Sequence, residues 1–263
     1  MQDWPDREHY TAEDLVQIIR ILRDPETGCP WDKVQTHASI RKNFLEETCE
    51  ALEAIDADDA DMLREELGDV LMQVVFHADI ESDAGRFTMD DVCDGVVKKL
   101  LFRHPHVFGD GHEDSPESVL VSWEQLKRRE KGQKTVSDSM DSVARSLPSL
   151  WRAEKLQKKA AAAGFEWPDV QGALDKLEEE VAELRRAVEN GGDVPDELGD
   201  VLFAAVKVGR FCGCDPEDAV NGTCEKFIHR FRAVEEGAAV RGREVSQLSL
   251  EEMTALWNKA KRS

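Results

Sequence analysis

EELGDVLMQ, residues 65–73, returns 131 positions later as DELGDVLFA, residues 196–204, with ELGDVL identical in both. Each copy sets two carboxylates beside an apolar run, Glu66 and Asp69 in the first and Glu197 and Asp200 in the second. Leu67, Val70, Leu71, Val74 and Val75 follow i, i+3, i+4 spacing, as do Leu198, Val201, Leu202 and Val206. That spacing marks one stripe of an amphipathic α-helix. Gly68 and Gly199 fall inside these helices at a cost of about 1 kcal/mol relative to alanine. A close approach of a helix or ligand to the backbone would account for them.

The repetition extends outward. GCPWD (28–32) is matched by GFEWPD (164–169), FLEETCEAL (44–52) by LEEEVAELR (177–185), and KKLLFRH (98–104) by EKFIHRF (225–231). Each half closes on a tryptophan with a lysine four residues on, Trp123/Lys127 and Trp257/Lys261. Landmarks kept in one order indicate a tandem duplication. The halves are read as 1–131 and 143–263, joined by a flexible linker over 132–142, with a helix over 117–131. No segment alternates with period two, so the expected fold class is all-α.

Further helices are expected near 40–56 and 172–189, joined to the ELGDVL helices by short connections around DADDAD (56–61) and NGGDVP (190–195). Short loops make antiparallel neighbours. In such a hairpin, residues equally far from the turn centre sit at one height. Counting from position 58, Glu50 matches Glu66 and Glu47 matches Asp69; counting from 190, Glu183 matches Glu197 and Glu180 matches Asp200. Each hairpin thus stacks two facing acid pairs one turn apart. An isolated ExxE in a chain with 55 acidic residues is ordinarily a solvated helix face. Two mirror-symmetric sets inside a duplication point instead to divalent cations, because clustered carboxylates repel unless a cation intervenes. All-oxygen donors suit Mg²⁺, with Mn²⁺ as a substitute. A di-iron bundle would place ExxH on its helices, and none of the four segments contains histidine.

Lys99 and Arg103 share a helix face, as do Lys226 and Arg230, and each pair would complete a polyphosphate pocket beside such a cation. Trp31, Trp167 and Trp257 are candidates to stack on a base, although packing roles fit them equally well. No GxxxxGK[ST] and no GxGxxG is present, so a nucleotide would be held by metal and side chains. No Ser-His-Asp or Cys-His arrangement supports a covalent intermediate.

The bulk properties narrow the partners. The formal charge of −21 repels nucleic-acid polymers and anionic membranes. The N-terminal MQDWPDREHY lacks a basic region followed by an apolar stretch, and no run is long enough to span a bilayer, so a cytoplasmic location is expected. The six cysteines form no CxxC and are read as reduced and structural.

EETCE with ELGD and KKLLFR, then LEEEVAE with ELGDVLF and EKFIHRF, together with CPWDKVQTHASI (29–40), resemble the MazG family of nucleoside triphosphate pyrophosphohydrolases. The resemblance covers nearly the whole chain and its two-domain layout. It implies all-α modules related to the all-α dUTPases, four-helix bundles completed by dimerisation, and Mg²⁺-dependent hydrolysis of nucleoside triphosphates, ATP among them, to monophosphate and pyrophosphate. By that resemblance Glu180, Glu183, Glu197 and Asp200 are the metal ligands of the second half, and Glu47, Glu50, Glu66 and Asp69 those of the first. Glu179, or Glu46, would be an outer ligand or orient the attacking water, and Lys226 and Arg230 would contact the triphosphate. Trp257, Trp167, Lys99 and Arg103 complete the nucleotide-binding candidates. In tandem members the second half resembles the hydrolytic one. The competing readings are a narrower dUTP or damaged-nucleotide pyrophosphatase and a non-catalytic acidic helical interaction protein.

Overall fold

The computed structural model describes residues 4–112 and 115–261, and only the backbone at 117, 120 and 121. Twelve α-helices and no strand occur among the described residues, as the absence of period-two alternation requires. None of the helices is long and apolar enough to cross a membrane. The chain divides into two compact units, residues 1–127 and 128–263.

In unit 1, α2 (Arg41–Asp56) and α3 (Ala60–Asp83) form the antiparallel hairpin, with α1 (Ala12–Leu22) and α4 (Met89–Arg103) packed on α3. The hairpin turns through Asp58, a non-glycine residue at φ 52°, a conformation that Asp tolerates better than most residues. Asp59 then caps α3 by accepting from the backbone N–H groups of Asp61 and Met62. Ile19, Ile40, Val75 and Phe76 form the core, flanked by Leu15, Val16 and Met72. Beside it Arg23 pairs with buried Asp79 at 2.8 Å and with Asp83 at 2.7 Å. The short α5 (Pro105–Phe108) follows α4, and α6 (Pro116–Glu130) runs across the division between the units.

In unit 2, α9 (Val170–Asn190) and α10 (Val194–Phe211) repeat the hairpin. Gly191 ends α9 at φ 72°, the left-handed C-cap that glycine takes without penalty, and Asp193 caps α10 through the Asp196 N–H. α8 (Ser149–Ala162) packs on α10, and α11 (Pro216–Val240) packs on α8 and on α12 (Leu250–Ala260). Val234, Ala238 and Leu248 form a second core cluster.

Two expectations change. The segment 132–142, read as linker, contains α7 (Val136–Asp141). Thr135 and Asp138 close a capping box at its start, and Lys159 of α8 donates to the hydroxyl of buried Ser139 at 2.7 Å. Its polar composition suggested flexibility, but Thr-x-x-Asp is a helix start. The glycines differ too: among the described residues a Cβ at Gly68 or Gly199 would meet nothing within 4 Å, so no described neighbour requires them.

Candidate active site

The two acid hairpins assemble as the turn symmetry demands, with a different trio closing in each. Oxygens of Glu47, Glu66 and Asp69 come within 4.8 Å of one another in unit 1, and those of Glu180, Glu183 and Glu197 do so in unit 2. Glu50 and Asp200 stand outside these trios yet inside the same field. Burial, then Glu50, Glu65 and Asp69, raise the Glu66 carboxyl above its ordinary range. Burial, then Glu183, Asp200, Asp196 and Glu180, do the same to Glu197. Glu47 is raised by burial and by Asp69, Glu50 and Glu66. Carboxylates held together against their repulsion, with only oxygen donors, fit a divalent cation of the Mg²⁺ type.

The flanking cations divide unequally. Glu180 is buried, and Lys176, one turn before it on α9, lies 2.6 Å from it and 2.8 Å from Glu179. Glu179 itself is exposed, as is Glu46. Hydrogen bonds donated to Glu179 and Glu180 hold the Lys176 ammonium more firmly protonated than usual. Glu183 pairs with Arg186 at 2.8 Å. Lys226 is exposed, and Arg230 lies over the Trp257 ring, 5.7 Å from its centroid. In unit 1, Arg103 is buried over Trp123 at 5.6 Å, and Lys99 is half-buried. No hydrogen bond or ion pair among the described residues joins Lys226 or Arg230 to the four carboxylates of unit 2.

Behind the unit 2 carboxylates opens a cavity of about 560 Å³. Glu180 and Asp200 form part of its wall; Trp167, Phe165, Lys176 and Lys207 form others. Trp167 reaches this position because residue 172 is glycine: a Cβ there would lie 2.5 Å from the indole Cδ1. A wall that is mostly apolar with a few converging polar groups, opening onto a carboxylate cluster, is the construction of a small-molecule site. Of the tryptophan candidates, Trp167 lines this cavity, whereas Trp257 packs against Phe227 with ring centroids 4.9 Å apart.

The motif search missed Lys176 and Lys207. Lys176 was recoverable from its i, i+4 relation to Glu180. Lys207, inside the apolar run FAAVKVG, stands seven residues after Asp200 and hence on the same helix face.

The MazG nucleotide pyrophosphohydrolase domain matches residues 35–108 and 169–234, one segment in each unit. The chain belongs to the MazG family. It is 45% identical over 252 residues to a nucleoside triphosphate pyrophosphohydrolase of Escherichia coli (strain K12), covering 94% of this chain and 96% of that one. It is 43% identical to the nucleoside triphosphate pyrophosphohydrolase/pyrophosphatase MazG of Thermotoga maritima, covering 95% of each. It is also 47% identical to the uncharacterized protein YabN of Bacillus subtilis (strain 168), of which it spans 50%. Membership in MazG thus agrees with the duplicated acid hairpins, and the second matched segment contains the whole of the cavity-bearing hairpin.

Proposed function

We infer that the chain hydrolyses nucleoside triphosphates to monophosphate and pyrophosphate in unit 2, with Mg²⁺ as cofactor and broad acceptance of the base. The observation that carries this reading is the carboxylate trio of Glu180, Glu183 and Glu197 opening onto a cavity of about 560 Å³, with Glu180 and Asp200 in its wall. Glu180, Glu183, Glu197 and Asp200 would hold the cation, which supplies charge neutralisation for the triphosphate and its leaving group. Lys176 keeps Glu180 aligned and adds positive charge at the phosphate end of the cavity. Glu179, exposed beside Glu180, is placed to orient a water molecule. Addition of the water oxygen to one phosphorus, with cleavage of the α–β anhydride and loss of a proton to solvent or Glu179, yields the two products. The apolar wall receives the nucleoside and excludes water from it. Lys226 and Arg230 would contact the triphosphate.

A second copy of the chain fits the uncovered surface. Val96, Val97, Leu100, Leu101 and Phe102 on α4, and Phe227, Ile228 and Phe231 on α11, are exposed apolar side chains. A homodimer burying these faces would complete four-helix packing, and sedimentation should give twice the chain mass. A nucleoside triphosphate panel assayed with and without Mg²⁺ tests the activity. Monophosphate with pyrophosphate supports the reading; diphosphate with orthophosphate, or no turnover with Mg²⁺, rejects it.

A further inference from the structure

The far wall of the unit 2 cavity contains a buried ammonium whose one ion-pair partner is shared with a second cation. Lys207 is only 7% exposed, and its ammonium lies 2.9 Å from Glu166. Arg210, also on α10, pairs with the other oxygen of that carboxylate. Two cations against one carboxylate leave an excess positive charge in a largely dehydrated wall. An ammonium has three N–H donors; among the described residues Glu166 is the single hydrogen-bonding partner. The Trp167 ring, 5.2 Å from Nζ to centroid, adds a cation–π contact and no hydrogen-bond acceptor in the ordinary sense. Burial pulls the Lys207 pKa down, the mark of a charge that is costly to keep there.

Unit 1 shows that the architecture does without it. Counting from the shared ELGDVL, Lys207 corresponds to Phe76, which belongs to the unit 1 core. The cavity also has a direction. Asp200, Phe203, Ala204 and Lys207 all line it, and i, i+3, i+4, i+7 is one face of α10. At 1.5 Å per residue, Asp200 and Lys207 are about 10 Å apart along the helix. That is the order of the distance from an α-phosphate to the far edge of a base.

We propose that Lys207 reads the nucleobase, donating a hydrogen bond to a carbonyl oxygen of a base lying against Trp167. The inference rests on the reading that the triphosphate occupies the carboxylate end. It names the favoured substrate class within a broad range: triphosphates whose base presents an oxo group at the far edge, O6 of guanine or hypoxanthine and O4 of uracil or thymine. Adenine offers only ring nitrogens and is accepted less well.

The test compares inosine triphosphate with purine riboside triphosphate on the full chain with Mg²⁺. The two differ only in the six-oxo group and the proton at N1. A hydrogen bond to a charged donor sets an expected preference of about 10- to 100-fold in kcat/KM for the inosine compound, expressed mainly in KM. In Lys207→Met this ratio should fall to about one, and Lys207→Arg, which keeps a cation, should retain most of it. Equal kcat/KM for the two compounds in the unaltered protein overturns the role of Lys207 while leaving the hydrolytic reading intact. A preference that survives in folded Lys207→Met assigns the base contact elsewhere and also overturns it. Should Lys207→Met not fold, the ratio in Lys207→Gln decides the same point. Turnover of neither compound, nor of ATP, strikes the underlying reading instead.

Discussion

Behind their carboxylates the two units differ at matching positions: unit 1 carries Ile40, Gln73 and Phe76 where unit 2 carries Ala173, Ala204 and Lys207. Ile40 and Phe76 fill the centre of unit 1. Ala173, Ala204 and Lys207 line the cavity of unit 2. The ion pairs beside the hairpins are reversed as well. Arg23 meets Asp79 in unit 1, and Glu166 meets Arg210, the counterpart of Asp79, in unit 2. An acid hairpin can therefore be built over a filled core or beside a cavity; unit 1 also has a cavity, of about 680 Å³, but none of its four candidate carboxylates lines it. On the proposed reading, cation binding and nucleoside binding are separable properties, contributed by different residues of the same scaffold.

That separation can be broken most sharply at the carboxylates. Glu183→Gln should lower kcat for pyrophosphate release roughly 10²- to 10³-fold, the usual cost of losing one preorganised charge-stabilising group, with helicity by circular dichroism unchanged. Glu50→Gln, its counterpart, should leave kcat near the unaltered value. Equal losses from both would place hydrolysis in both units and erase the contrast.

Filling the cavity is the next largest effect. Ala173→Ile installs the unit 1 residue and should raise KM for nucleoside triphosphates roughly 10-fold by competing for space the ligand needs, within the range that one pocket contact commands. Because the new side chain enters a void, melting temperature should not fall. An unchanged KM would mean the nucleoside lies elsewhere.

A smaller change is expected at Gly172. In Gly172→Ala the new Cβ collides with the Trp167 indole, so the ring must leave its place in the wall. KM should rise a few-fold and tryptophan fluorescence should respond less to bound nucleotide. Ser39, the matching residue of unit 1, should tolerate alanine without kinetic effect.

The smallest effect is one of stability and pH. Glu197 has its carboxyl raised above 4.5 by burial and neighbouring carboxylates. A native state that keeps a proton after the unfolded chain has released it gains from that difference below the unfolded pKa. The gain is lost as pH rises through the folded pKa. In chelator, Glu197→Gln should thus raise Tm at pH 7, by roughly a degree or two, and leave it unchanged near pH 4. Mg²⁺ should stabilise the unaltered protein more than the variant. No gain at pH 7 in chelator would mean that these carboxylates do not oppose one another.

Much of this was legible in the sequence because it is local or periodic. The apolar stripe from Leu67 to Val75, the duplication, and the equal spacing of Glu47/Asp69 and Glu180/Asp200 about their turns follow from helical period and chain direction, which one sequence carries in full. The helix over 136–141 was also written there, in Thr135 and Asp138, but its polar residues matched a linker equally well. Which three oxygens converge was not legible, since that depends on rotation of each helix about its axis and on side-chain rotamers. Glu50 and Asp200 fall outside their trios for that reason. The cavity was less legible still: its wall takes residues from α7, α8, α9 and α10 and from the turn holding Phe165 and Trp167, and no spacing along the chain records a void.

The sequence by itself determined the helices, their repetition and the pairing of carboxylates across each turn, because backbone periodicity and short connections leave little freedom there. Only the tertiary structure decided that unit 2 encloses a cavity and that Lys207 lies in its wall. Volume left unfilled is a property of several surfaces meeting, and alanine at 173 or 204 acquires that meaning only once the facing helices are in place.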